Sequence, residues 1–597
     1  MKRLFFFFLF LFFLSTPVWA QVDSNASTEA PAPADTNASV LPDITPREFE
    51  IRGQLEISFP SLERQPLVGF NPPPRVRLIP PDQKPFIGEY KQESADLPPS
   101  PLARPDAPPI SSLETGDPRG GLVEVSGGRY YTRIAKANLA IPATGATAFH
   151  AELDYSGSDG YLASEEVTFI DNPDVRTPYD ALKASIGVTT TQQNLRAGGT
   201  LDGFANAYTL YGTLPSDPDA RSQPNRRGGG IGGTAWIEGE GGTFSDLALQ
   251  VGYSGAGYET DVFGNDDRRL QQRVDGSGRL GVLAAGGEIV ADASASSAGL
   301  DEGGPFSDAA RVFSGGAGYR FVARGTINLT LGARYLAFSS NQPQPSGRGF
   351  RQNISGGYIA PDVRLDLYPS PTLRLYALSE PGAYLNGLAE LYEENPYLVD
   401  EPYVLPTVRQ FDAEGGAELF AGPVQIKLWG GYERYPSFLF FEHAIEESSL
   451  PYSRGLYTAN YAEATVLHGG GDLSVALPNG LSALLSVTVR DGYLQDGGED
   501  IPYFAPVVGE ATVSYAFAER RGLLQLTSRY ESKRFIDREQ TRKAGDYVDL
   551  DLLASYDVAS YIGLVARLEN LAVDALERWE GYPQPPLIVT AGFRVMW

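Results

Sequence analysis

The stretch LIVTAGFRVMW (587–597) has two distinct faces when it is placed on a β-strand, where successive side chains point to opposite sides. One face is wholly apolar and consists of Leu587, Val589, Ala591, Phe593, Val595 and Trp597. The opposite face includes Thr590 and Arg594, the only charged residue of the stretch. Such a strand suits a wall that meets hydrocarbon on one side and a polar interior on the other. The stretch predicts the closing, membrane-assembly strand of a transmembrane β-barrel.

The first residues predict an export signal. Lys2 and Arg3 precede an apolar run at 4–14, and small residues follow as far as Ala20, so residues 1–20 read as a cleaved signal peptide. The apolar run is too short to cross a bilayer, which takes about 20 residues. The chain has no Cys, so lipid attachment through a Cys is excluded. Together with the closing strand, this signal predicts a protein of the cell outer membrane.

The composition of the chain excludes several classes of protein. The chain carries 48 Lys and Arg against 74 Asp and Glu, a net charge of −26, which makes nucleic acid an unsuitable partner. Only three His, at 150, 443 and 468, are present, too scattered for a metal centre, and no cofactor motif is found. Mean hydropathy is −0.21. Since only alternate residues of a barrel strand face lipid, this value allows a barrel.

From residue 121 onward the chain repeats one pattern of 10 to 16 alternating residues followed by a turn. In 326–337, for example, Ile327, Leu331 and Tyr335 share a face opposite Asn328 and Arg334. Short turns alternate with long polar links at 213–226, 340–354, 383–407, 441–455, 490–502 and 574–586. Tight periplasmic turns and long outer loops are typical of outer-membrane barrels. A soluble β-propeller also has many short strands, but it leaves the closing strand unexplained.

The strand count follows from a parity argument. The runs number about 21, whereas a single-chain barrel with both ends on one side of the membrane needs an even number. Gly127 and Gly128 are placed to split the stretch 121–141 into two strands. We therefore expect an all-β fold, a transmembrane antiparallel β-barrel of about 22 strands, with 20 as the alternative, spanning residues 121–597.

The region before the barrel has a different composition. Residues 21–120 contain 19 Pro and 5 Gly, and repeated Pro favours an extended chain without a sheet. We expect a Pro-rich periplasmic arm that binds periplasmic or other outer-membrane proteins. One island alternates well enough to add a strand to a partner's sheet edge, and this candidate docking strand consists of Ile51, Leu55, Ile57 and Phe59. The alternative is an ordered turn of a tail lying on the barrel.

Three further features of the sequence bear on the site or the wall. Seven aromatic residues near run ends are expected at headgroup depth: Tyr253, Tyr335, Tyr432, Tyr435, Phe438, Tyr530 and Trp579. His443, beside Glu442 and Glu446 in a predicted outer loop, is the only prospect for rim catalysis, and a solvated loop His is the simpler reading. The glycines of GGGIGG (228–233) favour strand bending or close packing inside the wall. We expect neither catalytic residues nor an enzyme.

The stretch 546–597 resembles the last three strands of TonB-dependent outer-membrane receptors. The matching features are Glu569-Asn570-Leu571 at the end of one strand, the turn Gly581-Tyr582-Pro583, and the closing strand. The stretch 361–398 resembles the mid-barrel strand pair of that family and the loop after it. Receptors of this family place a folded plug before the barrel, whereas residues 21–120 are too Pro-rich to form one. The resemblance therefore implies a receptor-like barrel without the plug.

What this resemblance implies for function is passage or uptake of a specific solute across the outer membrane, with outer loops selecting it. The alternative is a structural or assembly component of an outer-membrane complex, whose arm recruits periplasmic partners and whose lumen is blocked by loops. In either case the expected partners are outer-membrane lipid and the barrel-assembly machinery. Individual substrate-binding residues stay unassigned, because the sequence does not show which side chains converge.

Overall fold

The fold was analysed in a computed structural model. It describes residues 120–142, 146–160, 177–212, 224–241, 244–262, 265–300, 310–323, 325–340, 355–400, 402–444, 455–572, 577–583 and 585–597. The predicted signal peptide, the arm and the candidate docking strand of Ile51, Leu55, Ile57 and Phe59 lie outside these residues.

The described chain is almost entirely β-strand, as the alternating pattern predicts. The wall consists of β1 (Gly121–Gly128), β2 (Arg133–Pro142), β3 (Thr147–Ser158), β4 (Tyr179–Gln192), β5 (Leu195–Thr209), β6 (Asn225–Gly241), β7 (Phe244–Val262), β8 (Asn265–Ala284), β9 (Gly287–Leu300), β10 (Ala310–Ala323), β11 (Ile327–Ser340), β12 (Ser355–Ser370), β13 (Leu373–Ser379), β16 (Phe411–Ala421), β17 (Val424–His443), β18 (Tyr457–Ala476), β19 (Leu481–Leu494), β20 (Val507–Phe517), β21 (Gly522–Glu531), β24 (Tyr547–Ala559), β25 (Ile562–Glu569) and β28 (Ile588–Met596).

Short elements lie between the wall strands. They are a 3₁₀ turn (Arg129–Tyr131), β14 (Gly382–Leu385), helix α1 (Leu388–Glu394), β15 (Pro406–Arg409), β22 (Arg534–Phe535), β23 (Lys543–Ala544), β26 (Glu577–Trp579) and β27 (Tyr582–Pro583). Among the described residues, no helix is long and apolar enough to cross a bilayer.

The wall closes on itself through its first and last strands. β1 pairs antiparallel with β28 from Leu122↔Met596 to Gly128↔Thr590, and β28 pairs with β25 on its other side. The predicted closed antiparallel barrel of 22 strands is confirmed. The 3₁₀ turn at 129–131 divides the stretch 121–141 after Gly128, as the parity argument required.

The two faces of the closing strand differ in exposure. The side chains of Val589 and Phe593 in β28, and of Trp597 directly after it, are exposed on the outside, whereas Ile588 and Arg594 are buried. Residue 587 and residue 595, which share the outer face, are partly exposed, and Ala591 is exposed. The barrel thus presents apolar side chains outward and polar ones inward, which is the arrangement that a lipid-facing wall requires.

The two rims of the barrel carry different connections. The short turns near 142–146, 193–194, 285–286, 422–423 and 518–521 lie on one rim, where β1 begins and β28 ends. The long connections, including 380–410, 532–546 and 570–587, lie on the opposite rim. We call these the turn rim and the loop rim. The loop rim corresponds to the side that the sequence assigns to the exterior.

The seven aromatic residues of the predicted belt fall into two groups, and only one group faces outward as a belt requires. Tyr253, Tyr335, Tyr432 and Tyr530 are exposed on the outer face. Tyr435 and Trp579 are each only 7 % exposed and, with Phe438, belong to apolar clusters formed with the loops. Alternation alone does not reveal loops that fold back over the ends of strands, and these loops cover the second group.

On the inner wall, ion pairs link strands that are not adjacent. Arg594 of β28 lies 2.7 Å from Asp557 of β24, with β25 between them. This ion pair passes over Gly563 of β25. A Cβ at this position would collide with the side chains of Arg594 and Asp557. Glycine at this position therefore lets a buried ion pair cross a strand.

We expect Leu201→Arg to lower the free energy of unfolding by about 2–4 kcal/mol, because this outward side chain in the middle of β5 faces hydrocarbon. The neighbouring Thr200→Arg points inward, beside Asp202, and serves as the control. Urea titration of the protein folded into lipid vesicles measures both changes. Equal losses in the two variants would contradict the assignment of faces.

Candidate functional site at the loop rim

The connection between β13 and β16 folds into a compact unit at the loop rim. We call residues 382–400 and 402–409 the cap. Its two ends form a hairpin, since β14 pairs antiparallel with β15 from Gly382↔Arg409 to Leu385↔Pro406. Asn386 Nδ2 donates hydrogen bonds of 2.9 Å to the oxygens Leu405 O and Thr407 Oγ1, which fixes the chain where it leaves the hairpin.

Helix α1 forms the middle of the cap. Leu388, Leu391 and Tyr392 recur at helical spacing and are buried. The residue at the N-cap, Gly387, has no side chain to offer, and instead Oε1 of Gln271 from β8 accepts a hydrogen bond from the N–H of Leu388 at 2.9 Å. The wall itself therefore caps the helix, which is too short to be stable alone.

One buried arginine holds the end of the cap against β6. Arg226 is fully buried, and its guanidinium donates to Thr260 Oγ1 at 3.0 Å, to Pro396 O at 2.9 Å and to Asp400 Oδ1 at 2.7 Å. Its Cζ also lies 4.7 Å from the centre of the Tyr392 ring. Since a buried charge is tolerated only when it is paired and hydrogen-bonded, Arg226 and Asp400 depend on each other.

Exposed ion pairs join α1 to the wall. Glu390 lies 2.7 Å from Arg273 of β8, and Glu393 lies 2.8 Å from Lys183 of β4. The side chains of Lys183 and Glu393 are 70 % and 71 % exposed, so their pair contributes at most about 1 kcal/mol. These contacts place α1 across the inner faces of β4 to β8.

The far side of the cap packs against the connection between β25 and β28. The ring of Tyr397 stacks on that of Tyr582, with 3.4 Å between centres. Tyr211, from the connection between β5 and β6, meets Tyr582 edge-on at 5.1 Å. Val399 N donates to Tyr457 O at 2.8 Å, and Tyr457 is the first residue of β18. The cap thus reaches from β4 to β18 and lies over the mouth.

A cavity of about 980 Å³ lies between the cap and the inner faces of β3 to β8. This is within the size of sites that hold a small molecule, about 300–1,000 Å³. Seven carboxylates line it, namely Glu152, Asp154, Asp180, Asp202, Asp275, Glu390 and Glu393. Lys183 and Arg273 are the basic residues among its described lining.

Glycines of the GGGIGG stretch, all within β6, shape the part of this cavity that lies nearest the cap. A Cβ on Gly228 would collide with the ring of Tyr258, and one on Gly230 with the ring of Phe204. Both rings therefore lie against the backbone of β6, 6.2 Å apart, and Tyr258 reaches the Tyr392 ring at 4.2 Å. The close packing expected at these glycines is a contact between aromatic rings and the backbone of β6.

His443, the residue considered for rim catalysis, ends β17. Its Nε2 lies 2.7 Å from Glu580 Oε2, and Arg542 Nη1 lies 2.8 Å from the same oxygen. The hydrogen bond to His443, supported by the charge of Arg542, holds the pKa of Glu580 below its usual range. The cluster ties the connection between β25 and β28 to the wall, which is a structural role.

The cap is not predicted by the sequence, because the polar link at 383–407 indicates only an outer loop. A signal was present: Leu388, Leu391 and Tyr392 have the spacing of an apolar helix face, and Pro396 follows where the helix ends. The turn Gly581-Tyr582-Pro583, noted for its family resemblance, supplies the ring that stacks on the cap.

Solved structures of TonB-dependent receptors share this fold. The FrpB iron transporter from Neisseria meningitidis is 11 % identical, with a TM-score of 0.60 over 81 % of this chain and 82 % of that one. The ferric yersiniabactin uptake receptor FyuA from Yersinia pestis is 11 % identical, with a TM-score of 0.57 over 82 % and 81 %. The copper transporter OprC is 14 % identical, with a TM-score of 0.57 over 80 % of each chain.

No protein-family model and no curated protein matches this chain. At such low identities the similarity establishes the fold, and the receptor-type barrel that the sequence implied is confirmed. The three proteins named are transporters and a receptor rather than enzymes. The residues described here include no separate plug domain, and the cap is part of the barrel's own connection.

We expect Arg226→Met to destabilise the cap by about 3–5 kcal/mol, because Asp400 would stay buried without its partner. Lys183→Met removes an exposed pair and should cost no more than about 1 kcal/mol. Hydrogen exchange of the backbone amides at 397–400, compared between the variants, measures the difference. Similar exchange in both variants would show that Arg226 does not hold the cap.

Proposed function

We propose that the chain is an outer-membrane barrel that takes up a solute through a mouth closed by its own cap. The observation that carries this proposal is the cap itself, which rests on the inner wall through side-chain contacts at α1 and leaves a cavity of about 980 Å³ beneath. Side-chain contacts of this kind can be released without breaking any wall hydrogen bond. A removable cover above a small-molecule cavity suits uptake of a selected solute.

The remaining parts of the proposal come from the sequence. The closing strand, with Leu587, Val589, Ala591, Phe593, Val595 and Trp597 on its outer face, is the part that the barrel-assembly machinery would recognise and lipid would cover. The arm at 21–120 would lie in the periplasm and bind periplasmic or outer-membrane proteins there. Its candidate docking strand, 51–59, would add to a partner's sheet edge.

The competing function is a structural or assembly component with a permanently blocked lumen. The buried pair of Arg226 with Asp400 and the stack of Tyr397 on Tyr582 favour this reading, because both resist opening. The two functions differ in what happens when the cap is removed.

Replacing residues 387–400 by a short Gly-Ser linker should convert a poorly conducting barrel into an open pore. The expected result is a large rise in single-channel conductance of the full-length protein in planar bilayers, because a lumen of about 22 strands is wide when nothing covers it. A matched replacement at 495–500, a local turn after β19, should leave the conductance unchanged. A barrel that stays sealed without residues 387–400 would favour the scaffold.

A second experiment keeps residues 387–400 in place, so it gives a result even if their replacement prevents folding. With Lys183→Cys and Glu393→Cys, a short bis-maleimide would join α1 to β4, and the reaction is specific because the chain contains no other Cys. Cross-linking should stop solute entry into proteoliposomes, and the single-Cys variants treated in the same way should retain it. Unchanged entry after cross-linking would contradict opening at α1.

A further inference from the structure

Charge in the cavity is strongly unbalanced. Each of its two basic residues is already paired with a lining carboxylate: Lys183 with Glu393 at 2.8 Å, and Arg273 with Asp275 and Glu390 at 2.8 and 2.7 Å. An anion entering the cavity would have to displace these pairs and face the remaining carboxylates. The cavity therefore favours positively charged molecules.

Two carboxylates in the cavity have no ion pair with a Lys or Arg of the described residues. They are Glu152 of β3 and Asp202 of β5, and both lie on the inner face of the wall. By contrast, Asp154 lies 3.1 Å from Lys136, and Asp180 lies within 3.6 Å of Arg133. Glu152 and Asp202 are thus the acceptors available to a ligand.

Strand register fixes the spacing of these two carboxylates. Glu152 faces Ser185, and Ser185 faces Asp202, so the two acidic residues lie in one cross-strand row and are two strands apart. Adjacent strands are separated by 4.7–4.9 Å, which places their backbones about 10 Å apart. The same row continues through Gly232 and Ser254 toward Arg273.

Aromatic faces lie in the adjoining rows. Phe204, which is partly exposed, occupies the next position toward the loop rim on β5, and behind it the buried rings of Tyr258 on β7 and Tyr392 of α1 lie against each other. Aromatic rings attract ammonium groups through their negative faces. An inorganic cation is a poorer match, because no three acidic or His side chains of the described residues are grouped to hold a metal ion.

The geometry points to an elongated organic cation, with amino groups about 10 Å apart, as the ligand of this cavity. This assignment rests on the proposed uptake function and specifies its substrate class. One amino group would lie at Glu152 and another at Asp202, and the methylene chain between them would lie along Ser185 toward the Phe204 ring. A polyamine has this shape and charge.

Isothermal titration calorimetry of the full-length protein in detergent, with spermine as the probe, tests the assignment. The double variant Glu152→Gln with Asp202→Asn should raise the spermine Kd about tenfold, since two charge pairs are lost. Glu510→Gln removes an inward carboxylate of β20 outside the cavity and should change Kd less than twofold. All three substitutions nearly preserve side-chain volume, so the fold should be unaffected.

Several results would overturn the assignment. Absence of spermine binding to the unmodified protein would do so, and so would an equal loss of affinity in the Glu510→Gln control, which would show a general effect of charge. Binding of a neutral trisaccharide, without binding of spermine, would show that the ligand is a sugar and not an organic cation.

The results of the binding and conductance experiments together show which of the two proposals fails. If spermine binds with the expected dependence on Glu152 and Asp202, but the barrel lacking 387–400 stays sealed, the cavity is a cation site of a non-conducting protein. If that barrel conducts and spermine does not bind, uptake stands and the substrate class is wrong.

Discussion

The pairing of β1 with β28 is the interaction on which the rest of the structure depends. Gly121 N donates to Trp597 O at 3.1 Å, and Trp597 N donates to Gly121 O at 3.2 Å, so the two ends of the described wall close the sheet. In hydrocarbon, an unpaired peptide group costs several kcal/mol, and an open edge would expose a whole row of them. Closure therefore fixes an even strand number, both ends at one rim, and one lipid-facing side for every strand.

Once the wall is closed, polar chemistry is confined to its inner face and to the loop rim. Inside, charges are compensated across the sheet, as Arg594 and Asp557 are across Gly563. At the rim, the long connections have freedom to fold, and the connection at 380–410 uses it to cover the mouth. The cap and its cavity are thus consequences of a scaffold that leaves only these places for polar side chains.

The sequence predicted the repeated strands of the wall, and it missed the places where side chains from distant segments meet. Alternation and turn spacing gave the barrel, its 22 strands and the division after Gly128, because each depends on neighbouring residues in one strand. Helix α1 was missed because its stability comes from Gln271 and Arg226, which lie more than 100 positions earlier. Likewise, Trp579 was assigned to the membrane interface although loops bury it. The pair of Glu152 and Asp202 becomes visible only when register places both beside Ser185.

The contacts of the cap are unevenly strong, and this determines where it is held. Residues 396–400 are fixed by the buried Arg226–Asp400 pair, by the Tyr397–Tyr582 stack and by backbone bonds to Tyr457. Helix α1 meets the wall through the Tyr392–Tyr258 ring contact, through the hydrogen bond from Leu388 N–H to Gln271, and through ion pairs of the partly or largely exposed acids Glu390 and Glu393. Exposed ion pairs contribute little and are screened by salt, so salt weakens the hold on α1 more than the hold on the segment after it. Helix α1 is also the part of the cap that borders the acidic cavity, so the salt-sensitive contacts of the cap lie where charge is least balanced.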